Sequence, residues 1–157
     1  MCKWGGTFNY YVQVGWLKGR WNATANTTCV LCDAADETCR HLFFSCNYSK
    51  QIWKSLAGGI LQNAFTTSWN DIVEIISNTS LPPMKKFLIR YTFLATVHAL
   101  WRERNARRHG EQPQTASVIT KFVDKTIRLE LLSVKRLGQK YLEESLITWF
   151  ATRDTPP

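Results

Sequence analysis

The sequence has no apolar run long enough to cross a bilayer. The best candidate, FLIRYTFLATVHALW at 87–101, contains Arg90 and His98 and falls short of the roughly 20 residues a spanning helix needs. There is no Asp-Asp pair, and the twelve acidic residues do not cluster as two-metal phosphoryl chemistry requires. No glycine-rich loop leads into Lys and Ser/Thr, no serine sits in a nucleophile elbow, and three histidines leave few general bases. The expectation is a protein that is not an enzyme. The opening MCKWGGTFNYY is too short and too polar for a secretory leader, and five cysteines, an odd number, suit a reducing compartment. An intracellular protein is expected, nucleus and cytoplasm not being distinguished. The four Asn-x-Ser/Thr triplets at Asn22, Asn26, Asn47 and Asn78 then read as products of composition. Neither an internal repeat nor a low-complexity tract is visible.

What is present argues for a packed core. Of 157 residues 45% are hydrophobic, and seven are tryptophan, a composition that disorder does not produce. The net charge of +8 is uneven. Residues 1–80 hold six Lys/Arg against five Asp/Glu, and residues 81–157 hold fourteen against seven, so nearly all the excess lies in the second half. Such a balance favours polyanions, although a solvated helical surface has the same composition.

The sharpest pattern is TTCVLCDAADETCRHLFFSC, which places Cys29, Cys32, His41 and Cys46 as C-x2-C-x8-H-x4-C. Two cysteines two residues apart fit one tight turn with both sulfurs aimed at a common point. A His and a Cys further on close a tetrahedron. Three thiolates and one imidazole are a standard ligand set for one structural zinc ion, with no position left for water. Disulfides and plain buried thiols are the rival readings. Cys39 is the spare thiol, with substitution as a ligand its second reading, and Cys2 is given no role.

Elements follow from period and punctuation. FNYYVQV suits a short strand. Thr38 is placed to cap a short helix carrying His41, Leu42 and Phe44. A helix from Asn47 or Ser49 presents Ile52, Trp53, Leu56 and Ile60 on one stripe, and Gly58 and Gly59 weaken its end. Ser68 with Asp71 marks the start of a helix carrying Ile72, Ile75 and Ile76. After Pro82-Pro83 a long helix runs from about Met84 to Arg108, with Phe87, Tyr91, Leu94, His98 and Trp101 as its expected buried face. On this reading His98 is a core histidine, and Trp53 and Trp101 are core rather than stacking platforms. Gly110 and Pro113 end that helix. Another carries Val118, Ile119, Phe122, Val123, Ile127, Leu131 and Val134 and stops near Gly138. A last one covers 139–150. The fold class is mainly α, a small zinc-stabilised module followed by a helical body.

The block CVLCDAADETCRHLFFSCNYSKQIW resembles the zinc-binding region downstream of the polymerase in plant LINE-type, non-LTR retrotransposon reverse transcriptases. The carrying residues are Cys29, Cys32, His41, Cys46, the pair Phe43-Phe44, Ser49 and Trp53. Leu17, Arg20 and Trp21 resemble the end of the helix before the first zinc cysteine, and LWRERNARRHG at 100–110 resembles a Trp-x-x-Arg-Asn segment of the same elements. The resemblance covers residues 16–157. It divides the chain into a divergent segment 1–15, a zinc-binding module 16–57, a helical region 58–150 and a flexible tail 151–157. The polymerase of such elements carries an aromatic-x-Asp-Asp site, which this chain lacks. The resemblance implies a non-catalytic zinc-binding accessory domain.

The candidate partner is RNA or DNA, contacted without sequence preference, and no membrane. Arg102, Arg104, Arg107 and Arg108 crowd the end of the long helix, and Lys121, Lys125 and Arg128 stand on the next, where Lys135 and Arg136 follow. They read as phosphate contacts, or else as solvated charges beside a helix C-terminus. Either way the arginines are expected to be exposed and dispensable for folding. The alternative function is a protein-interaction or purely structural remnant with no nucleic-acid role.

Overall fold

The computed structural model describes residues 27–135 and 140–153. The expected strand FNYYVQV, the triad Leu17, Arg20 and Trp21, Arg136 and the stop at Gly138 lie outside them. The described chain is helical, as expected, with one isolated antiparallel bridge between Thr28 and Asp36. Helix α1 spans Asn47–Leu61, α2 Trp69–Ser77, α3 Pro83–Arg108, α4 Ala116–Lys135 and α5 Lys140–Ala151. A π turn, His41–Ser45, precedes α1, and a 3-10 turn, Gln62–Ala64, follows it. α1, α3 and α4 pack on one another, α5 packs on both α3 and α4, and the π turn lies on α1 and α3. The module boundary expected at 57 falls inside α1, and the buried core runs continuously from Cys29 to Trp149.

Phe43 and Phe44 join the metal-binding segment to the helices. The Phe44 ring lies 5.0 Å from that of Trp53 on α1, 5.7 Å from Trp69 on α2 and 5.6 Å from Phe93 on α3. Phe43 meets the other side of Trp69 at 6.1 Å. Each fully buried phenylalanine contributes roughly 1.5–3 kcal/mol of transfer free energy. The expected α1 stripe of Ile52, Trp53, Leu56 and Ile60 is buried in full.

The structure refines the sequence reading in four places. Gly58 and Gly59 lie inside the last turns of α1, which continues to Leu61. Gly59 is where α1 meets the end of α5, because a Cβ there would lie 2.8 Å from Thr152 Cβ and 2.9 Å from its carbonyl oxygen. The helix start expected at Ser68 and Asp71 is found, with Ser68 at the N-cap of α2 and Asp71 in its first turn, but the Ser68 side chain makes no capping bond. Thr66 does that work, its Oγ1 accepting from Ser68 N–H and donating to Asp71 Oδ2.

The third is a correction and concerns α3. Leu94 and His98 are exposed, and Phe87, Tyr91 and Trp101 only half-buried. The buried side is Leu88, Ile89, Thr92, Phe93, Thr96, Val97, Ala99 and Leu100. Apolar residues at most positions of this segment define no single stripe, and packing against four helices buries a broad arc. Thr92 and Thr96 enter that arc because their hydroxyls donate to Leu88 O and Thr92 O, one turn back. His98 is therefore a surface histidine. The fourth concerns α4, where Ile119, Val123, Ile127 and Leu131 are buried but Val118 and Phe122 are not. Gly110 does end α3, adopting φ +80° just past the cap residue His109.

Candidate metal centre

The first two cysteines sit on a small hairpin. Cys29 N–H bonds Ala35 O at 2.8 Å and Glu37 N–H bonds Thr27 O at 2.7 Å, so the two arms are tied on either side of the turn. Within it Cys32 and Asp33 both donate to Cys29 O. Asp33 takes φ +52°, in the left-handed region that Asp tolerates better than most residues. The reversal turns Cys32 back beside Cys29.

The second pair depends on the π turn. Thr38 Oγ1 accepts from His41 N–H at 3.1 Å, the expected cap. The helical bonding then widens, and Cys46 N–H bonds His41 O at 2.7 Å, an i→i+5 closure. An α-helix returns to the same side after about 3.6 residues, which would swing position 46 away from position 41. The wider turn brings Cys46 round to His41, where Ser49 Oγ, donating to Leu42 O, braces the entry into α1.

The four ligand atoms converge. Cys32 Sγ lies 3.2 Å from His41 Nε2, Cys29 Sγ lies 4.0 Å from Cys46 Sγ, and all four atoms fall within 4.8 Å of one another. Tetrahedral zinc with bonds of about 2.3 Å to sulfur sets sulfurs about 3.8 Å apart, so slight contraction completes the fit. Cys29, Cys32 and Cys46 are free thiols, as ligation requires. Backbone N–H groups also serve two of the sulfurs, against the effect of burial. Burial pushes the Cys29 thiol up to about 12, against the backbone N–H groups of Leu31 and Cys32, which lower it. Burial also raises Cys46, against the N–H groups of Ser49 and Tyr48. Those N–H groups are the usual support of a metal-bound sulfur. Cys29, Cys32, His41 and Cys46 thus form a potential zinc-binding site. A bound zinc ion would cross-link hairpin and π turn, and with four protein ligands it would have no open coordination position. Cys39 stands outside the cluster, and it is disulfide-bonded rather than the spare thiol expected.

The arginines after Trp101 do not all face solvent. Arg104 is buried, and its Nε and Nη2 donate to Glu37 Oε1 at 3.0 and 2.7 Å. Arg108 reaches the same oxygen at 3.2 Å. Arg107 donates to Glu103 Oε1 at 2.7 Å and to the carbonyls of Val30, Leu31 and Gln114. Its guanidinium lies 4.6 Å from the centre of the Tyr48 ring. Tyr48 OH in turn donates to Gln114 O at 2.9 Å, and burial followed by the Glu103 charge pushes its phenol up to about 12. Val30 and Leu31 are the two residues between the first zinc cysteines. The end of α3 therefore holds the metal hairpin by its backbone.

Of the seven basic candidates, Arg102, Lys121 and Lys125 are exposed. Arg108 is partly exposed, and Arg128 pairs with Asp124 beneath it. Sequence reasoning missed Glu37, Glu103 and Tyr48. The Glu103–Arg107 pair had a signal, four residues apart on one helix. Glu37 had none, because its partner Arg104 lies 67 positions away.

With the geometry in place, comparison with known proteins is informative. No curated protein and no solved structure matches the chain. Residues 9–53 match the family model described as zinc-binding in reverse transcriptase. The match takes in all four ligands, begins inside the segment read as divergent, and stops at Trp53, before the rest of the helical body. Over these residues the chain is similar to the zinc-binding region of reverse transcriptases.

Proposed function

We propose that this chain is a non-catalytic accessory module related to LINE-type retrotransposon reverse transcriptases of plants, in which one structural zinc ion fixes the orientation of a basic helical body. The carrying observation is the closed set of three sulfurs and one imidazole within 4.8 Å, inside the stretch similar to reverse-transcriptase zinc regions. In this reading the body contacts RNA or DNA through phosphates and reads no bases. The net charge of +8 supports it, as do the exposed cations Arg102, Lys121 and Lys125 on neighbouring helices. Arg104 and Arg107 are excluded from that role, because each is committed inward.

The experiment pairs a zinc-to-protein ratio with salt titrations against single-stranded RNA and duplex DNA. One zinc per chain is expected, together with affinity that falls steeply with salt and varies little with sequence, since counterion release drives such contacts. Arg102→Gln/Lys121→Gln/Lys125→Gln should flatten the salt slope by up to about two to three units, roughly one for each phosphate no longer neutralised, with the melting temperature unchanged. No binding by folded, zinc-loaded protein near about 50 mM salt removes the nucleic-acid part.

A further inference from the structure

Neither the metal site nor phosphate contact accounts for the outer side of α4. Its inner side buries Ile119, Val123, Ile127 and Leu131. On the opposite side Val118, Phe122, Leu129 and Leu132 are 46, 47, 57 and 50% exposed. With Lys125 these positions follow one another at spacings of four, three, four and three. At 3.6 residues per turn the five fall within an arc of about 80° and run for about 21 Å. This is the seam spacing by which one helix receives another, and a merely solvated face does not set four large apolar groups in register. At its N-terminal end the stripe opens into a cavity of about 560 Å³ whose lining includes Trp101, Arg102, Glu111, Val118, Ile119 and Phe122.

Charge selects the occupant. Lys125 sits in the middle of the seam, Lys121 beside it, and the Arg102 guanidinium lies 5.6 Å from the Phe122 ring centre. None of the three has an ion pair among the described residues. The nearest acid in sequence, Asp124, is held by Arg128 and Trp149 Nε1. A second copy is a poor match, because a parallel pairing and a fully overlapped antiparallel one both set Lys125 against Lys125. Phosphate offers nothing to Leu129 and Leu132. We propose that the outer face of α4 docks an amphipathic helix of a partner protein, one whose apolar stripe is flanked by Asp and Glu facing Lys121 and Lys125.

The test uses the full, zinc-loaded chain and two labelled synthetic three-heptad helices with the same leucine seam, one flanked by Glu and the other by Lys. Fluorescence anisotropy should show saturable binding of the Glu helix and at least about 10-fold weaker binding of the Lys helix, as charge complementarity dictates. Leu129→Gln/Leu132→Gln should weaken the Glu helix at least about 10-fold and leave melting, zinc content and salt-dependent RNA binding unchanged, which separates this proposal from the nucleic-acid reading. Lys125→Glu should narrow the preference between the two helices. Equal binding of both, or binding of neither, overturns the proposal. So does a wild-type dimer in sedimentation that the double Gln variant dissolves, which would make the occupant a second copy. Stripe-dependent binding to phosphatidylserine vesicles without peptide binding overturns it in favour of a membrane surface.

Discussion

Replacing Arg107 with Gln removes more than a surface charge. The guanidinium is the donor for the Val30, Leu31 and Gln114 carbonyls and the ion-pair partner of Glu103. The pair's side chains are only 12 and 4% exposed, so its loss leaves a carboxylate largely out of water. Breaking a buried pair costs about 3–5 kcal/mol. Glu103 Oε1 keeps the Gln114 N–H at 2.9 Å, which places the expected loss near the lower end, about 3 kcal/mol. For a chain of this size each kcal/mol moves the melting point by roughly 2–4 °C, so a drop of about 6–12 °C is expected. Thermal unfolding in zinc-saturated buffer, followed by helical circular dichroism, measures it. Arg107→Lys should recover only part, since a point charge cannot replace a planar fork across several acceptors. Arg102→Gln, exposed at the same helix end, is the control and should melt like the wild type. If Arg107→Gln also melts within about 1 °C of the wild type, the bonds to the hairpin carbonyls do not hold it, and the inward assignment of Arg107 fails.

Three further outcomes are expected. Cys32→Ser should lose zinc and unfold the 28–50 region, because structural zinc supplies on the order of 10 kcal/mol, whereas Cys39→Ser, outside the ligand cluster, should retain zinc; metal analysis and proton NMR of both variants check this. Zinc binding should weaken on acidification. Burial raises Cys29 to about 12 and raises Cys46, so both are protonated at neutral pH and must release protons to bind, and chelator competition should show zinc affinity falling at least about 100-fold per pH unit, tenfold for each of these two protons. Gly59→Ala should destabilise by about 1–3 kcal/mol in thermal unfolding despite the better helix propensity of alanine, because its methyl would overlap Thr152.

The parts legible in the sequence were those fixed by local spacing. The zinc quartet, the α1 stripe and the boundaries of α3 at Pro83 and Gly110 each rest on neighbours within a few residues or on a motif with fixed gaps. What was not legible depended on partners far along the chain. Arg104 looks like any helix-end arginine until Glu37 is placed beside it. The buried arc of α3 could not be read because so many of its positions are apolar or threonine, and the choice among them was made by α1, α2, α4 and α5. Gly59 reads as a helix breaker in isolation and as a contact point only once Thr152 lies against it.

The π turn gives the two gaps between ligands different tolerance to insertion. Between Cys32 and His41 the chain passes through an exposed tip at 33–36, and a residue inserted beside Ala34 can be absorbed there without moving the arms. Between His41 and Cys46 there is no such slack. The wide turn returns the chain to the ligand side after five residues, and its inner positions Leu42, Phe43 and Phe44 are already buried. Adding one residue would set His41 and Cys46 six apart, a spacing that neither the wide turn nor the ordinary helical repeat returns to one side, and would shift both phenylalanines in the aromatic core. A longer segment here would therefore cost the site and the core together.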